Sequence, residues 1–165
     1  DAHIFESSVL ENIRVARPDL SPNEAIEVLG HVGLGDWLAQ LPQGVHTHLG
    51  SDAATISGGE RRRLLLARAL ASPAQYLLLD EPGEHLDSET ADTLIRDLLR
   101  AGHNDDPAQS RTVILVTHRL QPLDAADRIV LLGEKDGKTM ITASGSHEEL
   151  LSHVADYRWS TQQEV

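Results

Sequence analysis

The sequence predicts an α/β fold: a parallel sheet flanked by helices, joined to a helical subdomain. Three observations point there. In the second half, short unbroken apolar runs alternate with helical patterns, as strands of a sheet buried on both faces do. In the first half such runs are missing, and short amphipathic segments separated by turns replace them. Between the halves, Ser57-Gly58-Gly59-Glu60 opens a long helical pattern that continues from Leu64 to Ala71.

The elements follow in order. Ser8 to Val15 is a short amphipathic segment. Ser21-Pro22-Asn23-Glu24 is a helix start, with Ser as cap, Pro at the first helical position and Glu at the third. Ala25, Ile26, Val28, Leu29 and Val32 then give that helix an apolar face, which Gly33 ends. Asp36–Leu41 is another short helix, stopped by Pro42. Strand Tyr76–Leu79 leads to helix Ser88–Arg100, strand Thr112–Val116, a short helix near Gln121–Ala125 and strand Arg128–Leu132. Gly102–Ser110 is a polar loop, and Glu134–Lys138 a hairpin turn into strand Thr139–Ala143. Ser146-His147-Glu148-Glu149 starts a last helix, and the chain beyond Arg158 reads as a frayed polar tail. Residues 1–72 therefore form the helical subdomain, 73–158 the α/β subdomain and 159–165 the tail.

Composition narrows the function. The 165 residues carry 14 Lys and Arg against 26 Asp and Glu, a net charge of −12. Such a surface repels nucleic acid and anionic membranes. There is no Cys, hence no disulfide framework and no thiolate metal site. No run approaches the roughly 18 apolar residues of a membrane span, and no signal peptide is visible at the N-terminus.

Three short motifs carry chemistry. Ser57-Gly58-Gly59 at a helix start can offer backbone N–H groups and the positive end of the helix dipole to an anion, with no Cβ in the way. The bland alternative is an ordinary Ser-capped helix. About 23 residues later the run Tyr76-Leu77-Leu78-Leu79 ends in Asp80-Glu81. Two acids there suit a metal ion and a water, although acids capping the next turn would look the same. The run Val113-Ile114-Leu115-Val116 ends in Thr117-His118, and that His can reach the same place or serve structure alone. Together these are parts of a machine that hydrolyses a nucleoside triphosphate. His46-x-His48 supplies only two ligands, too few for a metal site. Arg61, Arg62, Arg63 and Arg68 read as a solvated or interface helix face.

The order of these motifs resembles the C-terminal part of the nucleotide-binding domain of ATP-binding cassette (ABC) transporters, a P-loop NTPase fold. Ser57-Gly58-Gly59-Glu60 matches the family's signature motif, with Glu where Gln is commoner; Leu77–Pro82 matches Walker B with its catalytic Glu; Leu86-Asp87 matches the D-loop and His118 the switch His. The wording Asp80-Glu81-Pro82-Gly83-Glu84-His85-Leu86-Asp87 is most similar to the CydC-type subunit of a heterodimeric cysteine and glutathione exporter needed for cytochrome bd assembly. The resemblance implies ATP and Mg²⁺ as cofactors, with Asp80 helping to hold the ion. It implies Glu81 as general base and His118 as the contact to the γ-phosphate. It implies that Ser57, Gly58, Gly59 and Glu60 bind ATP held by a second nucleotide-binding domain, with Asp87 at the interface between domains. The other implied partner is the exporter's transmembrane domain, and the implied location is the cytoplasmic face of the cell membrane. Thr47-His48-Leu49-Gly50-Ser51-Asp52 lies where exporters carry a Thr-x-Val-Gly-Glu loop, with Leu for Val and Ser for Glu.

No Gly-x-x-x-x-Gly-Lys-Ser/Thr occurs in the chain. The phosphate-cradling Walker A loop is therefore expected upstream, in a longer polypeptide, together with the residue that stacks on adenine. Asp1–Phe5 resembles the segment just after the family's Q-loop Gln. A sheet without its Walker A strand should expose an edge and half a core, which makes the chain by itself marginal or prone to aggregate. Two other readings stand beside an exporter ATPase. One is a non-hydrolytic module that only completes a partner's site. The other is a soluble ABC ATPase outside transport, which the exporter-like spacing from Asp1 to Ser57 disfavours.

Overall fold

The computed structural model describes residues 3–50, 56–84, 86–103, 110–135 and 137–164. They fall into two compact units. One runs to Leu77 and includes Glu84–Thr90; the other comprises Leu78–Gly83 and the chain from Ala91 onward.

The first unit is helical. It holds α1 (Val9–Arg14), α2 (Pro22–His31), α3 (Gly35–Gln40), a 3₁₀ turn at Gly44–His46, and α4 (Gly58–Ala71). Ser8 caps α1, and Ser21 with Glu24 closes a capping box on α2. Gly33, at φ +68°, turns the chain out of α2 in a conformation that L side chains avoid. Helices α1 and α2 both pack on α4. Val9, Ile13, Leu20, Leu29, Val32, Leu34 and Leu64 are completely buried among them. Each such side chain contributes roughly 1.5–3 kcal/mol by leaving water.

One polar group sits in that core. Asn12 is fully buried. Its Oδ1 accepts from Phe5 N–H (2.8 Å) and Arg68 Nη2 (3.0 Å), while Nδ2 donates to Phe5 O and Ser8 O (both 3.0 Å). Two lone pairs and two protons are all used. Arg68 adds bonds from Nε to Asn12 O (2.8 Å) and from Nη1 to His3 O (2.9 Å), and its guanidinium lies 5.5 Å from the Phe5 ring centre. Burial pushes the Arg68 pKa down from its ordinary value. Arg63 Nη1 likewise donates to Gly33 O at 2.8 Å. Of the four arginines expected on a solvated or interface face, these two tie α4 to backbone carbonyls elsewhere in the same unit.

The second unit carries the sheet. β1 (Tyr76–Asp80), which begins in the first unit, pairs with β2 (Thr112–Val116). Glu81, just past β1, donates its N–H to the carbonyl of Val116, the last residue of β2, at 2.9 Å. The strands end together and are parallel. Between them in sequence lies α5 (Ser88–Arg100), whose Ala91, Leu94, Ile95 and Leu98 are buried. β3 (Ile129–Lys135) and β4 (Lys138–Gly145) form an antiparallel hairpin, bulged between Leu131 and Leu132. α6 (His147–His153) and α7 (Ala155–Gln163) close the chain. Leu123, Ile129, Leu150 and Tyr157 form the core here, with Leu99, Leu120, Leu131 and Val154 packed around them.

Three expectations change. The third strand joins a separate hairpin rather than the parallel pair, because β4 supplies its partner. The strands are not buried on both faces: in β1 Leu78 is 72% exposed between buried Leu77 and Leu79, and in β3 Leu132 is 67% exposed. Apolar residues on both faces suit a sheet covered twice, and among the described residues only one face is covered. The tail is not frayed. α7 runs through it, and Glu164 beyond its end accepts backbone hydrogen bonds from Leu120 and Gln121. Ser51, Asp52, His85 and most of the Gly102–Ser110 loop lie outside the described residues.

Candidate functional site

The ends of β1 and β2 bring two of the expected groups together. Glu81 Oε1 accepts the backbone N–H of His118 at 3.1 Å and lies 2.9 Å from His118 Nδ1. The His side chain is 77% exposed and the Glu 30%. A half-covered carboxylate therefore meets an imidazole open to whatever lies outside. Glu81 has φ +45°, the one non-Gly residue in the left-handed region among those described. That conformation costs about 1–2 kcal/mol for an L-residue. It turns the carboxylate from the strand direction toward His118. Strain of this kind collects at functional sites.

Asp80 ends β1 and is exposed, one step from Glu81 but not on the same side of the strand. Pro82 and Gly83 follow, both buried. A Cβ on Gly83 would stand 3.0 Å from Ala91 Cβ and 3.5 Å from Ile95 Cδ1. The glycine is there because α5 lies against it, a reason that the sequence did not reveal. On the other side of the site, Arg119 Nε donates to Asp92 Oδ1 on α5 at 2.8 Å, which anchors the residue after His118.

The Ser-Gly-Gly segment sits in the first unit. Ser57 caps α4: its Oγ accepts from Glu60 N–H at 3.2 Å, and its own N–H donates to Glu60 Oε2 at 2.6 Å. The expected cap is thus real, and Glu60 is engaged in it. The Ser57 hydroxyl proton is left to donate elsewhere. Gly58 and Gly59 are exposed, and a Cβ built on either would meet no atom within 4 Å. Nothing within the described chain requires glycine at these two positions. Asp87 caps α5, its Oδ1 accepting from Thr90 N–H at 3.0 Å. Arg62 Nη1 reaches Glu84 Oε2 at 2.6 Å, a bond between α4 and the turn before Asp87. Among the described residues no group of three or more His, Asp or Glu is arranged to hold a metal ion, His46 and His48 included.

Comparisons with known proteins place the chain in a family. A family profile described as ABC transporter matches residues 2–84, half of the chain. The chain belongs to the ABC transporter family. Its fold is that of the family's ATPase: over 99% of its length it superposes, with a TM-score of 0.74 and 29% identity, on 27% of a bacterial Atm1-family ABC exporter solved with ATP bound. An ATP-dependent lipid A-core flippase of Neisseria meningitidis serogroup A is 36% identical over 157 residues, covering 95% of this chain and 24% of that protein. The glutathione/L-cysteine transport protein CydC of Haemophilus influenzae is 38% identical over 160 residues, 92% of this chain and 27% of that protein. The chain thus spans about a quarter of the length of the curated relatives it matches. Among the described residues no helix is long and apolar enough to cross a membrane.

Proposed function

We propose that the chain is part of an ATP-hydrolysing domain that drives an exporter, and that it contributes to two different nucleotide sites. The observation that carries the reading is the Glu81–His118 pair at the ends of adjacent parallel strands, with Glu81 held in a strained backbone. In this reading Glu81 accepts a proton from the attacking water, and His118 donates to the γ-phosphate and keeps the carboxylate in line. Parallel strands fix both groups in advance, so little reorganisation accompanies the chemistry.

Mg²⁺ fits the donor set present. It keeps most of its water and phosphate ligands and takes only one or two carboxylates from a protein, so the exposed Asp80, the residue before Glu81, would be enough to hold it. There it would neutralise charge on the phosphates. ATP itself needs a phosphate-cradling loop with a Lys, a motif the chain does not carry.

The second contribution is the start of α4. Glycine in a helix is destabilising by roughly 0.5–1 kcal/mol against alanine. Gly58 and Gly59 have no internal justification, which supports an external one: close approach of a phosphate to backbone N–H groups at a helix N-terminus. The Ser57 hydroxyl proton points to the same use. In this reading the phosphate belongs to ATP held by a second nucleotide-binding domain. Asp87 stands at the interface of the two domains, and a transmembrane domain couples their closure to transport at the cytoplasmic face of the membrane.

The cargo follows less directly. Relatives of nearly equal identity are called a lipid A-core flippase and a glutathione/L-cysteine transport protein. The D-loop wording favours the thiol exporter, in a heterodimer. Reconstitution of the complete transporter in vesicles, with ATP-driven uptake of labelled glutathione compared with that of lipid A-core, tests it. Glutathione transport is the expected result; movement of lipid A-core alone would assign the chain to the other branch.

A further inference from the structure

His118 is mostly exposed and its ring touches Glu81 alone among its recorded hydrogen bonds. Its orientation therefore depends on the backbone that carries it. That backbone is held on both sides just beyond the His. From α5, Arg119 is bound through its Nε to Asp92 (2.8 Å), and Arg96 Nη2 donates to Gln121 O (3.0 Å). From the C-terminal side, both oxygens of Glu164 accept the Leu120 N–H, at 2.8 and 3.0 Å, and Oε2 also accepts the Gln121 N–H at 3.1 Å. Gln121 Nε2 completes the attachment by donating to Thr161 O on α7 at 3.0 Å.

We propose that Glu164 is a positioning residue for hydrolysis: it fastens the loop after His118 to the C-terminal helix α7, so that docking of α7 sets the alignment of His118 with Glu81. The inference rests on the ATPase reading above. The contact is charge-assisted and donates into one carboxylate from two successive amides, the stronger kind of hydrogen bond. α7 is itself seated by Tyr157, which is buried in the core of the second unit and bonded through its hydroxyl to His147 Nδ1 at 2.8 Å. Burial, with the Glu164 charge adding to it, pushes the Tyr157 hydroxyl up to about 12. The groups facing Glu164 are thus the two amides and a neutral phenol. No cation competes with the amides for the carboxylate among its recorded bonds. Removal of Glu164 leaves the amides of Leu120 and Gln121 without that acceptor and loosens the loop that carries His118, while no group proposed to touch ATP is itself altered.

The test uses the complete transporter and compares wild type, Glu164→Ala, Glu164→Gln and Glu81→Gln. For Glu164→Ala we expect kcat for ATP to fall about tenfold with KM unchanged, as small misplacements at reacting groups do. Glu164→Gln, whose amide oxygen still accepts, should recover part of the rate. Hydrogen exchange of the Leu120 and Gln121 amides should accelerate in Glu164→Ala and less in Glu164→Gln, with exchange in α4 unaltered. Unchanged kcat together with unchanged exchange at these amides in the folded variants overturns the proposal. So does a loss in Glu164→Gln as deep as in Glu164→Ala. Should Glu164→Ala fail to fold, Glu164→Gln decides alone: a modest kcat loss at constant KM with faster exchange supports the role, and wild-type values remove it. Failure of the underlying reading looks different. There, wild type does not hydrolyse ATP, or Glu81→Gln hydrolyses it normally.

Discussion

Glu81 and Gly58 occupy opposite conformational extremes. Glu81 is a residue with a side chain in a backbone conformation that suits glycine. Gly58 is a glycine in a helix where an added Cβ would meet nothing within 4 Å. One chain element has accepted strain where a carboxylate meets His118; the other has given up helix stability to keep its surface bare. Both departures from the locally favoured residue coincide with proposed chemistry. The contrast suggests where each finds its immediate partner: the strained position in His118 of its own unit, the bare one in something from outside.

Four experiments break or sharpen that contrast. The largest effect is expected from Glu81→Gln in the complete protein with its partner. The amide keeps the shape but loses the base, so hydrolysis at this site should drop on the order of 10²–10⁴-fold while ATP still binds and traps the closed dimer. Normal turnover in single-site assays would remove Glu81 from the mechanism.

Ser57→Arg comes next, because a bulky cation at the start of α4 blocks approach to a phosphate. The catalytic carboxylates of a heterodimer are disabled one at a time, so each site is measured separately. With Glu81 disabled, Ser57→Arg should cut the partner site's hydrolysis roughly a hundredfold, the scale of losing preorganised donors. With Glu81 intact and the partner's carboxylate disabled, it should change little. The reverse pattern would mean that the bare helix start serves its own chain.

The 165-residue chain alone should bind Mg-ATP with a dissociation constant weaker than about 1 mM, or −4.1 kcal/mol, since it lacks the phosphate-cradling motif. Calorimetric titration reads this directly, and micromolar binding would require a phosphate site not described above.

The smallest effects concern stability. Glu81→Gly should stabilise the folded protein by about 1 kcal/mol as the left-handed penalty disappears, even as activity is lost. Gly58→Ala should gain about 0.5 kcal/mol for α4, with hydrolysis at the partner site reduced. Both are read by urea denaturation. A loss of stability in Glu81→Gly would show that the carboxylate's bond to His118 outweighs the backbone strain.

The meeting of Glu81 and His118 was legible in the sequence from the ends of two apolar runs, and so were the helix starts at Ser21 and Ser146, because capping is local chemistry. What escaped was set by contacts distant in sequence. Glu81, with its left-handed φ, meets Val116 through its N–H and His118 through its carboxylate, contacts that the local sequence does not show. The work of Arg68 depends on carbonyls 56 and 65 residues away. The order in the tail comes from Glu164 reaching back 44 residues to Leu120. The sheet misled in a different way. Leucines on both faces of β1 signal double cover, and the sequence pattern cannot say whether the described chain provides it.

Gly83 carries a consequence of its own. With Ala91 Cβ already 3.0 Å from the place a methyl group would take, the joint between the end of β1 and α5 has no slack. A close-packed joint passes displacement on rather than absorbing it. If α5 slides or tilts by a few tenths of an ångström, Gly83 moves with it, and Glu81 lies only two residues back along a backbone already under tension. The carboxylate proposed to serve as the base is in effect mounted on a stiff lever whose long arm is α5. Gly83→Ala wedges that lever at its fulcrum, and its signature would be a change in the timing of turnover rather than in the affinity for nucleotide.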